Sequence, residues 1–185
     1  MQLIDIDKVR YRKHLNIIIV GFIGSLLVLS LLFGSLLISL FSNLAEVDVL
    51  VQAASNEIGA EPESNFRYNL LGVILALLAN AAILHSTKNS HFFTEVYYVW
   101  RLKQIQNSVY RKIKKIKLAA EKGDEKALII LVFYYESQIK VYQLDDNTIT
   151  LESIHKALQQ VNDKITEHGL TVTSDQFDKS IIALY

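Results

Sequence analysis

From Leu15 to Phe41 the chain runs without a single charged residue. That exceeds the roughly 20 residues an α-helix needs to cross a bilayer, and the apolar region of a cleaved signal peptide is only about 7 to 15 residues long. The segment is therefore expected to be a retained transmembrane helix. A second apolar run, Tyr68 to Ser86, carries no Lys, Arg, Asp or Glu, and at about 1.5 Å per residue it just spans the hydrocarbon core. Two such runs explain why 51% of the 185 residues are apolar and why the mean hydropathy is +0.24.

Charge sets the expected direction of the spans. Residues 1–14 hold Lys8, Arg10, Arg12 and Lys13, whereas residues 42–67 hold Arg67 against Glu46, Asp48, Glu57, Glu61 and Glu63. Residues 88–117 hold eight basic residues against Glu95. Lys and Arg near span ends stay on the cytoplasmic side, so both termini are expected in the cytoplasm and the acidic loop outside, in the bacterial inner membrane. Within that loop Leu44, Val47, Leu50, Val51, Ala54 and Ile58 fall at helical spacing and suggest a short helix along the membrane, with Gly59 and Pro62 marking the turn back.

Small residues four apart let membrane helices approach closely. In the first span Gly21 pairs with Ser25, and Ser30 with Gly34; in the second, Gly72, Ala76 and Asn80 form one row. Asn80 is the one strongly polar side chain well inside a span, and an unpaired amide there is costly, so it should bond to another helix or to water. No ionisable group of the kind that marks a transport path lies in either span.

The 87–185 segment is expected to form one cytosolic helical domain. Leu102, Ile105, Val109, Ile113, Ile116 and Ala120 step by three or four, Gly123 supplies a stop, and Asp124 caps a helix running to about Leu144. That second helix is apolar on two sides and belongs in the centre. Asp145, Asp146, Asn147 and Thr148 form a turn that lacks the Gly and Glu of a calcium loop. A third helix carries Leu151, Ile154, Leu158, Val161 and Ile165 and ends at Gly169; a last short helix from Ser174 would bury Phe177, Ile181 and Leu184. The fold class is thus an all-α membrane protein, with two transmembrane helices (15–41 and 68–86) and a cytosolic bundle of three to four helices.

Two surfaces of that domain carry chemistry. Phe92, Phe93, Tyr97, Tyr98 and Trp100 follow directly after the second span; they fit the headgroup layer and equally fit a bundle core. Arg111, Lys112, Lys114, Lys115 and Lys117 surround Ile113 and Ile116 as a candidate contact for an acidic partner or for anionic lipid, worth roughly 1 kcal/mol per residue near the surface. A helix standing straight up from Ser86 would put Arg111 about 37 Å from the membrane, beyond screened attraction, so a solvated face is an equal reading.

Other chemistry finds little support. The 19 basic residues balance the 19 acidic ones, which argues against nucleic acid. No Cys is present, which excludes thiol catalysis, Fe–S clusters and Cys-ligated zinc. His91 and Glu95 share a helical spacing that two metal ligands can use, with His85 as a third candidate, but two residues at that spacing arise constantly by chance. His14, His155 and His168 have no companion pattern. No phosphate loop or nucleophile elbow occurs, so neither enzyme activity nor a cofactor is expected.

SNFRYNLLGV (Ser64 to Val73), HFFTEVYYVWRLKQ (His91 to Gln104) and AAEKGDEKALIILVFYY (Ala119 to Tyr135) resemble an uncharacterised gammaproteobacterial family of two-span inner-membrane proteins with a domain of unknown function. The likeness runs to about Thr150 and implies a two-span membrane protein, with no activity or catalytic residue to carry over. AEKGDEKAL also resembles a Sel1-type or tetratricopeptide turn, in one copy where such arrays need three. The expected function is a non-enzymatic accessory subunit, assembly factor or regulator whose cytosolic domain binds another protein. The alternative is a homo-oligomeric channel or transport component.

Overall fold

The computed structural model describes residues 2–54 and 65–185, with backbone alone over 42–54. Among these residues every regular element is helical: α1 (Lys8–Ala54), α2 (Phe66–Thr87), α3 (Thr94–Tyr110), α4 (Ile113–Ala120), α5 (Glu125–Leu144) and α6 (Leu151–Glu167). Two 3₁₀ turns, Ser174–Gln176 and Lys179–Leu184, follow. The chain divides into two compact units, one of Met1–His14 with Phe92–Tyr185 and one of Leu15–His91.

α1 starts well before the apolar run because Asp7 caps it, its carboxylate accepting the Arg10 N–H at 3.1 Å as short polar side chains do at helix starts. With 47 residues it is about 70 Å long, more than twice the roughly 30 Å of a hydrocarbon core. The separate short helix expected in the acidic loop is not there: the backbone of 42–54 continues α1 without a break. Residues 42–54 contain neither Gly nor Pro, so nothing in them stops a helix. Ile58, Gly59 and Pro62 lie outside the described residues.

Both α1 and α2 are long and apolar enough to cross a membrane. They meet where Gly34 faces Gly72: a Cβ on Gly72 would lie 2.6 Å from the Gly34 nitrogen and 2.8 Å from its Cα. Only a missing side chain permits that approach. One turn pair further along, the Ser25 hydroxyl bonds to Asn80 Oδ1, and Asn80 Nδ2 donates to the Ala76 carbonyl at 2.9 Å. Gly72, Ala76 and Asn80 are the buried face of α2. Gly21 is not in this seam, since a Cβ there would meet nothing within 4 Å. Outside the seam the apolar side chains are exposed, Leu31 by 74% and Leu78 by 62%, a distribution unlike that of a soluble core helix.

In the other unit α5 is the centre. Its residues from Ala127 to Tyr135 are all buried, followed by Ser137, Val141 and Leu144, and it packs against α3, α4, α6 and both 3₁₀ turns. Val99, Leu102, Ile105 and Val109 face it from α3, Ile116 and Ala120 from α4, and Ile154, Val161 and Ile165 from α6. Asp124 caps α5 by accepting the Ala127 N–H at 3.1 Å. Gly123 ends α4 at φ +78, a left-handed backbone that glycine adopts without strain. The fully buried Ser137 of α5 donates its hydroxyl to the Tyr134 carbonyl and accepts from Gln106 of α3 at 3.0 Å, so it is satisfied.

Two expectations for this unit are corrected. The single helix expected from Leu102 to Ala120 breaks at Arg111–Lys112, where Lys112 has φ −112 and ψ 4. Arg111 repels Lys114 and Lys115 at helical spacing, and the bend lets α3 and α4 each lay an apolar face on α5. The last helix from Ser174 is replaced by the two 3₁₀ turns, which bury Phe177 and Ile182 while Leu184 is exposed; so short a segment lacks the length to nucleate an α-helix. Phe177 stacks on Phe133 of α5 with ring centroids 3.8 Å apart.

Gly72→Val is expected to destabilise the α1–α2 pair by about 1–3 kcal/mol through overpacking, with Gly21→Val near neutral. Thermal unfolding of the full-length protein in mild detergent measures both, and matching curves for the two variants would contradict the seam.

Candidate functional site

The feature that sequence reasoning missed is a clasp between the first residues and the α3–α5 region. Tyr11, on the first turn of α1, is 2% exposed, and its hydroxyl lies 3.4 Å from Asp145 Oδ1. Lys8 and Arg12, one helical turn apart on α1, both pair with Asp146, and Lys103 of α3 pairs with Asp145 at 2.8 Å. Asp146 has φ +57, a left-handed conformation that Asp tolerates better than most residues. The acidic turn after α5 is thus a receptor for the basic start of α1.

A second contact holds the residues before α1. The Tyr98 hydroxyl accepts the Ile4 N–H and donates to the Gln2 carbonyl, both at 3.1 Å, so one phenol holds the main chain on either side of Leu3. Burial raises the Tyr98 hydroxyl above its ordinary pKa, the Ile4 N–H pulling the other way; it stays protonated and can keep donating. Lys140 of α5 lies 3.8 Å from Asp5. Arg10 Nε reaches Glu95 at 3.2 Å, and His14 packs its ring against Phe92 at 4.2 Å.

The aromatic segment resolves into separate roles, none in the deep core. Val99, Leu102, Ile105 and Val109 supply that core from α3. Phe92 and Phe93 meet edge to face at 5.5 Å, and Tyr98 is the clasp residue. Tyr97 and Trp100 stack at 5.6 Å, leaving Trp100 53% exposed.

The basic residues gather at the α3–α4 bend. Arg111, Lys112, Lys114 and Lys115 line a concavity of about 590 Å³ together with Tyr110, Ile113 and Tyr185. Lys112 Nζ donates to the Ile182 carbonyl at 2.9 Å and so ties the last 3₁₀ turn to the bend. Lys112 as the residue preceding α4 offers no side-chain acceptor to the helix start. Tyr185 is pushed up to about 12 by burial and by its hydrogen bond to Asp124. Lys117 lies outside this group, 6.0 Å from the Tyr135 ring centroid.

The candidate metal ligands have other occupations. Glu95 is engaged by Arg10, His85 faces Lys88 at 3.3 Å, and His91 is exposed. Among the described residues no three His, Cys, Asp or Glu side chains come together as a metal would need. His168 sits against Gly123, where a Cβ would lie 2.8 Å from its Nδ1, a structural position at the α4–α5 turn.

The described residues define a helical protein with two apolar helices of membrane length and a clasped helical unit. The chain belongs to the family described as a protein of unknown function, DUF3087, whose profile matches residues 1–182. The match extends past Thr150 through α6 and the 3₁₀ turns. No curated protein and no solved structure matches the chain.

Tyr11→Ala is expected to release the first residues at a cost of about 3 kcal/mol, as for a buried aromatic. Asp146→Asn keeps the left-handed backbone and removes only exposed ion pairs, a loss below about 1 kcal/mol. Hydrogen–deuterium exchange of residues 2–12 in the full-length protein ranks them, and equal protection in both variants would contradict a clasp held mainly by burial.

Proposed function

We propose that the chain is a two-span protein of the bacterial inner membrane, with both termini cytoplasmic, and that its clasped helical unit is a non-enzymatic platform for another protein. The observation that carries this reading is the clasp. Residues 1–14 pack with residues 92–185 in one unit, although both membrane-length helices lie between them in sequence. Segments that touch lie on the same side of a membrane, and an even number of crossings between them is the arrangement that allows it. The basic balance at residues 1–14 and 88–117 favours the cytoplasmic side.

An accessory, assembly or regulatory role is supported by what the side chains do. Asp145, Asp146 and Glu95 are each paired with a cation of the clasp, an arrangement that holds segments together and leaves little for substrate chemistry. A channel built from several copies has less to stand on. Asn80, the polar residue such a pore would line itself with, is 3% exposed and bonded within the α1–α2 seam.

Two measurements on the full-length protein test this. Reporter fusions at either end should both read cytoplasmic, with a reporter inserted between residues 55 and 64 reading external; opposite readings for the two ends would overturn the topology. Purification in mild detergent should yield a stoichiometric foreign protein, whereas a homo-oligomer with nothing attached would overturn the platform role.

A further inference from the structure

The cations at the α3–α4 bend form a strongly charged surface that the clasp does not use. Four of them, Arg111, Lys112, Lys114 and Lys115, share a single concavity whose lining contains no Asp or Glu side chain. Gathering like charges at helical spacing is unfavourable by some tenths of a kcal/mol per pair, in a chain whose formal charge is zero. At the clasp, by contrast, Asp145 and Asp146 take Lys103, Lys8 and Arg12. At the bend the one polar contact of a cation among the described residues is that of Lys112 with the neutral Ile182 carbonyl.

The chemistry of the lining narrows what could balance the charge. A concavity of about 590 Å³ is of small-molecule size. Arg presents a planar fork that matches phosphate oxygens in pairs, and Lys adds point charge. A single carboxylate would leave most of four positive charges unmet, whereas a phosphate ester brings two or three negative charges on a compact group. Tyr110, which is largely exposed, and Tyr185 flank the cations with apolar faces for the rest of a ligand. We propose that the concavity at the α3–α4 bend is a binding site for a multiply charged phosphate ester, its phosphate held by Arg111, Lys114, Lys115 and Lys112 and its remainder lying against Tyr110 and Tyr185.

The phosphate can come from a soluble nucleotide or from a phosphomonoester lipid headgroup. The site does not rest on the two-span reading, because topology and partner capture enter neither its geometry nor its test.

The test is calorimetric titration of the full-length protein in neutral detergent with inorganic pyrophosphate, ADP, dioctanoyl phosphatidic acid and a hexaglutamate peptide. Pyrophosphate or ADP should bind saturably at one site. The triple variant Arg111→Gln, Lys114→Gln, Lys115→Gln, which spares the structural Lys112, should weaken binding at least tenfold with unchanged thermal unfolding. A charge-matched triple, Lys122→Gln, Lys126→Gln, Lys156→Gln, should change it less than twofold. Saturation by ADP and not by phosphatidic acid assigns the soluble source, and the reverse assigns the headgroup. No saturable phosphate binding, equal loss in both triples, or saturation by hexaglutamate alone would overturn the proposal.

Discussion

Burial around the whole circumference of α5 organises the unit that contains it. A helix apolar on two sides cannot leave either side in water, so neighbours must cover it all round. α3 and α4 cover one flank, α6 another, and the two 3₁₀ turns close the remainder through Phe177 and Ile182. α3 and α4 meet α5 on either side of the break at Arg111–Lys112, and the concavity that holds the cations lies at that bend.

Most of this was legible in the sequence because the signals are local. An uncharged stretch of bilayer length, a step of three or four in Leu151 to Ile165, Asp124 as a cap and Gly123 as a stop each act within a few residues. The row of Gly72, Ala76 and Asn80 was legible for the same reason, and the structure adds its partners, Gly34 and Ser25. Where expectation failed, a second signal competed with the apolar step: between Leu102 and Ala120 it is the like charge of Arg111, Lys114 and Lys115 at helical spacing. Ile181 and Leu184 sit at α-helical spacing from Phe177, yet the tail tightens into 3₁₀ turns with Ile182 inward.

The clasp was the least legible part of the candidate site. In the sequence Lys8, Arg10 and Arg12 fit a signal for membrane topology, and Asp145–Asp146 fit a turn. Each segment has an ordinary local explanation that hides the pairing. The available signal was complementarity, a basic start against an acidic turn, together with one aromatic, Tyr11, among charges. Such a signal identifies a pair only when the separation is already known. Phe92 to Trp100 shows the converse: the segment stood out locally, and its five aromatics nonetheless serve separate purposes, with Tyr98 reading main chain while Trp100 faces outward.

The clasp also fixes an order of events. Tyr11 and Asp145 are separated by 134 residues, so the start of α1 leaves the ribosome long before the turn that will receive it exists. Through that interval the cations of residues 8–13 have no Asp145 or Asp146 to meet. They are then available to whatever acidic surface is nearest. The same side chains are therefore free while the chain is being made and occupied in the finished domain, with the change occurring once α5 and the turn after it are complete.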